Sequence, residues 1–120
     1  MALASDIMKG GFSAGSALAI NGQVNGSVAA AGTTIADATD LTASISVVAS
    51  GTGGVQLFSA MIGDEQEILN ISGSTITVYP DSTSSRINSL SAGTGFTLGN
   101  NTAVKCRKFT ATRWIGNLSA

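Results

Sequence analysis

Leu41-Thr42-Ala43-Ser44-Ile45-Ser46-Val47 places an apolar side chain at every second position and a small hydroxyl-bearing one between each pair. That is the period of a strand buried on one side, because successive side chains of a strand point to opposite faces of its sheet. Working outward, Ser50-Gly51-Thr52-Gly53-Gly54 breaks the pattern, and Val55-Gln56-Leu57-Phe58 starts another strand. Gly63-Asp64-Glu65 is a turn. Glu67-Ile68-Leu69-Asn70-Ile71 and Thr75-Ile76-Thr77-Val78-Tyr79 are joined by Ser72-Gly73-Ser74, which predicts the clearest hairpin of the chain. Pro80 ends its second strand because proline has no N–H for the ladder. Three further strands are predicted at residues 87–90, 95–98 and 103–110, and Arg113-Trp114-Ile115 closes the set. About eight short strands at roughly 8–12-residue spacing predict an all-β fold, an antiparallel β-sandwich or barrel over residues 41–120.

Residues 1–40 read differently. They are rich in alanine and poor in large apolar side chains, and Gly10-Gly11, Asn21-Gly22, Asn25-Gly26 and Gly32 interrupt them at short intervals. The sequence predicts an extended N-terminal arm. A short hairpin at Asn21-Gly22 or Asn25-Gly26 is the alternative, since Asn-Gly supplies the positive φ of a type I′ turn. A helix over residues 33–40 is weakly patterned. Phe12, Leu18, Ile20, Val24 and Val28 are the apolar residues with which such an arm would grip a partner. Lys9 follows Asp6 and precedes two glycines, so no secretory signal is expected.

Composition excludes several chemistries. Ser, Thr, Gly and Ala make up just over half of the 120 residues, and only 11% are charged, against about 25% in an average soluble domain. There is no histidine, so neither a Ser-His-Asp triad nor a Cys-His pair is available. The single cysteine, Cys106, excludes an intrachain disulfide and a cysteine-rich zinc site. A net charge of −1 lacks the electrostatic footprint of a nucleic-acid binder. No apolar run approaches the roughly 18 residues that a membrane span needs.

The remaining candidates are few. Asp64, Glu65 and Glu67 form the one acidic cluster. Paired carboxylates serve glycosidases, and turn oxygens bind calcium, but acids beside Gly63 are also ordinary solvated turn residues. Lys105, Arg107, Lys108 and Arg113 gather most of the basic charge into nine positions. In a strand, Lys105 and Arg107 share one face while Cys106 and Lys108 share the other. This predicts an edge or subunit-interface charge patch, facing the acidic turn of the same or a neighbouring subunit. The Gly51–Gly54 and Gly93-Thr94-Gly95 stretches lack the lysine of a phosphate loop and are read as turns. Trp114 is expected to close the core. No catalytic residue, cofactor or metal site is expected.

From Gly63 the chain reads GDEQEILNISGSTITVYPDSTSSRINSLSAGTGFTLGNNTAVKCRKFTATRWIG. The Gly-Asp turn, the strand ending in Asn70, Thr77-Val78-Tyr79-Pro80, Ile87-Asn88 with Leu90, Phe96 with Leu98, and Trp114 resemble small structural proteins of tailed-bacteriophage virions. The resemblance covers roughly half of the chain. It implies a capsid decoration (cement) protein, non-enzymatic and made in the host cytoplasm. Such a protein sits on the outer surface of the head as a homotrimer and bridges major capsid protein subunits. The arm with Phe12, Leu18, Ile20, Val24 and Val28, and the patch of Lys105, Arg107 and Lys108, are then the expected partner-binding residues. The alternative is a tail or head-fibre module that binds host glycans through an exposed Trp114 or Tyr79.

Overall fold

A computed structural model describes residues 24–119. Ten strands occur among them and no helix: β1 (Val24–Ala30), β2 (Thr39–Asp40), β3 (Ile45–Gly51), β4 (Gly53–Gln56), β5 (Glu65–Asn70), β6 (Ile76–Tyr79), β7 (Arg86–Ile87), β8 (Phe96–Leu98), β9 (Thr102–Thr110) and β10 (Arg113–Leu118). They build two layers, a broad sheet ordered β1-β3-β5-β9-β10-β7 and a narrow one ordered β2-β4-β6-β8. The all-β, sandwich-like fold agrees with the strand period and spacing of the sequence.

Strand pairing departs from the antiparallel arrangement expected. Five of the eight pairings are parallel, including β1 with β3, β3 with β5, β2 with β4 and β4 with β6. The cause is the winding. From β1 to β8 the chain alternates strictly between the layers, and through β6 each return to a layer completes a turn and runs in the same direction as before; β8 returns antiparallel to β6. A parallel pair needs a crossover, usually a helix; here the crossover is a strand of the opposite sheet. Residues 67–79 are therefore not a hairpin, because β5 lies in the broad sheet and β6 in the narrow one. The tight hairpin joins β9 to β10 through Ala111-Thr112.

Glycine makes the sharpest layer change, with only Thr52 between β3 and β4. Gly51 and Gly53 have φ of 86° and 111°, and a Cβ would collide with the Ala30 carbonyl oxygen at the first and with that of Gly32 at the second. Left-handed backbone in direct contact with a neighbouring strand leaves glycine as the only residue that fits. The stretch is a corner of the fold, as expected of a turn.

The arm boundary also moves. Residues 24–40, expected in the arm, belong to the sheets: β1 covers Asn25-Gly26, and Val28 and Ala30 are buried in the core. In place of a helix over residues 33–40, a single turn, in which Ala38 N–H donates to the Thr34 carbonyl, leads into β2. The Asp37 carboxylate caps it by accepting from the Thr33 and Thr34 amides and the Thr34 hydroxyl.

The core fills the space between layers. Val48, Ile68, Val104, Cys106 and Trp114 come from the broad sheet, and Val55, Ile76, Val78 and Leu98 from the narrow one. Two buried amides tie loops to this core. Gln66 exchanges both of its hydrogen bonds with the backbone of Phe58. Asn70 donates to the Ser74 and Leu98 carbonyls and accepts from the Ser72 amide and hydroxyl, which holds the arch between β5 and β6.

The stretch from Leu41 to Val47 contains a change of phase. Leu41 and Ala43 are buried, as their alternation predicts, but from β3 onward Ser46 and Val48 face the core. Ile45 and Val47 are turned outward, half-buried on the far side of the broad sheet.

Candidate interaction face

The outer face of the broad sheet follows from strand parity. On β9, Val104, Cys106 and Lys108 point inward, so Lys105, Arg107 and Phe109 point outward. On β5, inward Gln66, Ile68 and Asn70 leave Glu65, Glu67 and Leu69 outward. Register then sets the rows. Glu65 lies beside Arg107 and Arg107 beside Ile115; Ile45 beside Glu67, Glu67 beside Lys105, and Lys105 beside Asn117; Val47 beside Leu69, and Leu69 beside Ala103. Val24 on β1 extends this face next to Ile45. Val24, Phe109 and Ile115 are 59%, 46% and 48% exposed. One sheet face thus carries apolar side chains, two acids on β5 and two bases on β9.

Lys105 and Arg107 share the outward face, as their parity predicts, but β9 lies inside the broad sheet between β5 and β10 and not at an edge. Both reach Glu65: Arg107 bonds one carboxylate oxygen directly, and Lys105 Nζ lies 3.8 Å from the other. The Arg107 hydrogen bond holds the Glu65 carboxyl below its ordinary value, with a smaller pull from the Lys105 charge. Glu67 makes no ion pair among the described residues, although Lys105 is its cross-strand neighbour.

Lys108 departs from the expected patch. Its side chain points between the layers, where Nζ donates to Asp81 Oδ2 at 2.9 Å and to the Ala60 carbonyl at 3.0 Å, above the Trp114 ring. Trp114 Nε1 donates to the other Asp81 oxygen at 3.0 Å. Burial opposes ionisation of Asp81, but hydrogen bonds from Lys108, Ser85 and Trp114 outweigh it and hold the carboxyl below its ordinary value. The group closes the core and presents no partner surface. The sequence carried half of this signal: Lys108 shares the parity of Cys106. Asp81, directly after Pro80, had no periodicity to mark it.

The other expected partner residues fall into three places. Val24 is on the outer face, Val28 is in the core, and Phe12, Leu18 and Ile20 lie outside the described residues. The acidic turn does not converge. The Asp64 carboxylate accepts from the Met61 amide, while Glu65 and Glu67 face outward from β5. Among the described residues no three metal-ligating side chains come together. Cys106 is buried between β9 neighbours, and burial pushes its thiol up to about 12.

The glycan alternative required an exposed Trp114 or Tyr79. Trp114 is completely buried, which overturns that half of it. Tyr79 lies on the narrow sheet with its ring against the space left by Gly54 and Gly95, and its hydroxyl donates to the Thr33 carbonyl. A shallow groove lined by Leu90, Phe96, Val104 and Leu118 runs beside β8 and β10 and has no charged side chain in its lining. No protein-family model matches this chain, and no curated protein or solved structure is significantly similar to it.

Proposed function

We propose that the chain is a non-enzymatic structural protein of a tailed-phage virion, a decoration protein that binds the outer surface of the head and bridges major capsid protein subunits. The observation that carries this reading is the outer face of the broad sheet. Val24, Ile45, Val47, Leu69, Phe109 and Ile115 stand there beside charged side chains on one continuous surface. Exposed apolar side chains gathered beside polar ones on one face mark macromolecular contact sites. The resemblance of residues 63–116 to virion proteins supports the same reading, and the chain's low charge suits broad neutral contacts.

The reading is tested on virions made from the genome that encodes the chain. The protein is expected in purified particles, on the head, and purified protein is expected to re-bind heads stripped of it. A chain missing from the particles overturns the proposal. The arm is tested separately by removing residues 1–23, since a longer deletion would cut into β1. The shortened protein is expected to fold and to lose head binding; retained binding overturns the role of the arm.

A further inference from the structure

The geometry points to a second copy of this chain as the occupant of the broad sheet's outer face, packed face to face about a two-fold axis. This rests on the assembly reading above: a second copy covers that surface, and contact with the head falls to the arm. The order of the rows carries it. Acids stand on β5 (Glu65, Glu67) and bases on the adjacent β9 (Lys105, Arg107), paired level by level. A two-fold axis lying in the interface, parallel to the strands and between β5 and β9, lays each copy's β5 over the other's β9. Levels are preserved by that rotation. Glu67 then faces the second copy's Lys105, Glu65 faces its Arg107, and Leu69 faces its Ala103.

The charge pattern is self-complementary about this axis, and an isologous contact requires self-complementarity. Glu67 fits it in particular, because this carboxylate makes no ion pair within its own chain among the described residues. Packed sheets cross at about 30° because each is twisted, and strands that flank the axis are displaced least by that angle. The outward phase of Ile45 and Val47 is explained as well, since two strand positions that the sequence pattern would bury are apolar on this face. Five long strands at about 4.8 Å spacing, averaging about seven residues at about 3.3 Å rise, offer about 500 Å² per copy. The total of about 1,000 Å² reaches the lower bound for a specific interface.

A two-fold contact produces a dimer, not the homotrimer that the resemblance implies. Native mass spectrometry of the full chain is expected to show a dimer; a monomer or a trimer overturns the proposal. Charge exchange then tests the axis itself. Glu67→Lys sets lysine against lysine across the contact, and Lys105→Glu sets glutamate against glutamate. Each variant alone is expected to dimerise at least about tenfold more weakly, because like charges are brought face to face. Mixed in equal amounts, they are expected to form a heterodimer. In it the introduced lysine of one copy meets the introduced glutamate of the other, and the unaltered Lys105 meets the unaltered Glu67. Far-UV circular dichroism confirms that each variant is folded. Val47→Lys, on the same face without a like-charge neighbour, provides a second disruption and is also expected to yield monomer. Dimers that survive in all three variants, or a mixture that forms no heterodimer, overturn the proposal. Head binding is read separately, so a dimer absent from virions leaves this contact standing while removing the virion reading.

Discussion

Lys108 and Asp81, 27 residues apart in sequence, form an ion pair at 2.9 Å whose side chains are only 7% and 5% exposed. Every strong group around it is partnered. The ammonium also donates to the Ala60 carbonyl, and the second carboxylate oxygen accepts from Trp114 Nε1. The pair fastens the segment after β6 to the inner side of β9 and β10, where the two layers meet. By contrast, Glu65 with Arg107 and Lys105 makes a partly open pair on the outer face.

Removing one partner of the buried pair leaves an uncompensated charge in the core. Asp81→Asn and Lys108→Met are each expected to lower unfolding free energy by about 3–5 kcal/mol. Glu65→Gln, at the exposed pair, is expected to cost far less, because solvent screens exposed charges. Urea unfolding followed by the emission of Trp114, the sole tryptophan, measures all three. Equal losses at both sites would refute the contrast between buried and open charge.

The same pair gives stability a pH dependence of known sign. The Asp81 carboxyl is held below its ordinary value in the folded protein, so unfolding raises its proton affinity. Its contribution is full above the unfolded value, about 3.9, and is lost as pH falls through the folded value. The stability gap between the natural chain and Asp81→Asn is therefore expected to be constant near neutral pH and to narrow below about pH 4. Urea midpoints of both proteins across that range provide the check. A gap that widens in acid would show that Asp81 is not held in its ionised form.

Asn70 uses both ends of its amide on backbone and hydroxyl groups of the arch and of β8. Asn70→Ala strips partners from the Ser74 and Leu98 carbonyls and opens a small void. The expected cost is about 2–4 kcal/mol, because each buried group left unpaired costs about 1–3 kcal/mol. Asn70→Asp keeps the shape but cannot donate, so it is expected to be at least as damaging. A neutral Asn70→Asp would show that the acceptor side alone holds the arch.

Much of this fold was legible in the sequence, for a physical reason. Side-chain alternation reports that a segment is a strand, and glycine and proline report where it stops; both signals are local. Thus residues 103–110 matched β9 almost to the residue, and Pro80 ended β6 as expected. Pairing partners are not local. Ile68 and Ile76 alternate in the same way whether their strands share a sheet or face each other across a core, so local alternation does not distinguish an arch from a hairpin. The outer face was half visible. Parity alone separated Lys105 and Arg107 from Lys108, but nothing in the spacing marked Asp81 as the counter-charge. The phase change at Ile45 was hidden because serine is small enough to be buried in its place, with the Ser46 hydroxyl turned toward the Ala43 carbonyl.

Cys106 is a probe built into the centre of β9. It lies between outward-facing Lys105 and Arg107, and two flanking cations would ordinarily lower a thiol pKa. The structure shows why they do not: both cations are on the opposite face of the strand, and burial pushes the thiol up to about 12. Almost no thiolate exists at mildly alkaline pH, and the buried sulfur is shielded from reagents in the folded chain. A disulfide-exchange reagent such as DTNB is therefore expected to leave Cys106 unlabelled in the folded protein and to label it fully in concentrated urea. In the absence of denaturant, the slow residual labelling should follow the small population of opened chains, and Asp81→Asn should accelerate it exponentially with the stability lost. Rapid labelling of the folded natural chain would mean that β9 and β10 separate readily, and that the Lys108–Asp81 pair does not hold the layers together.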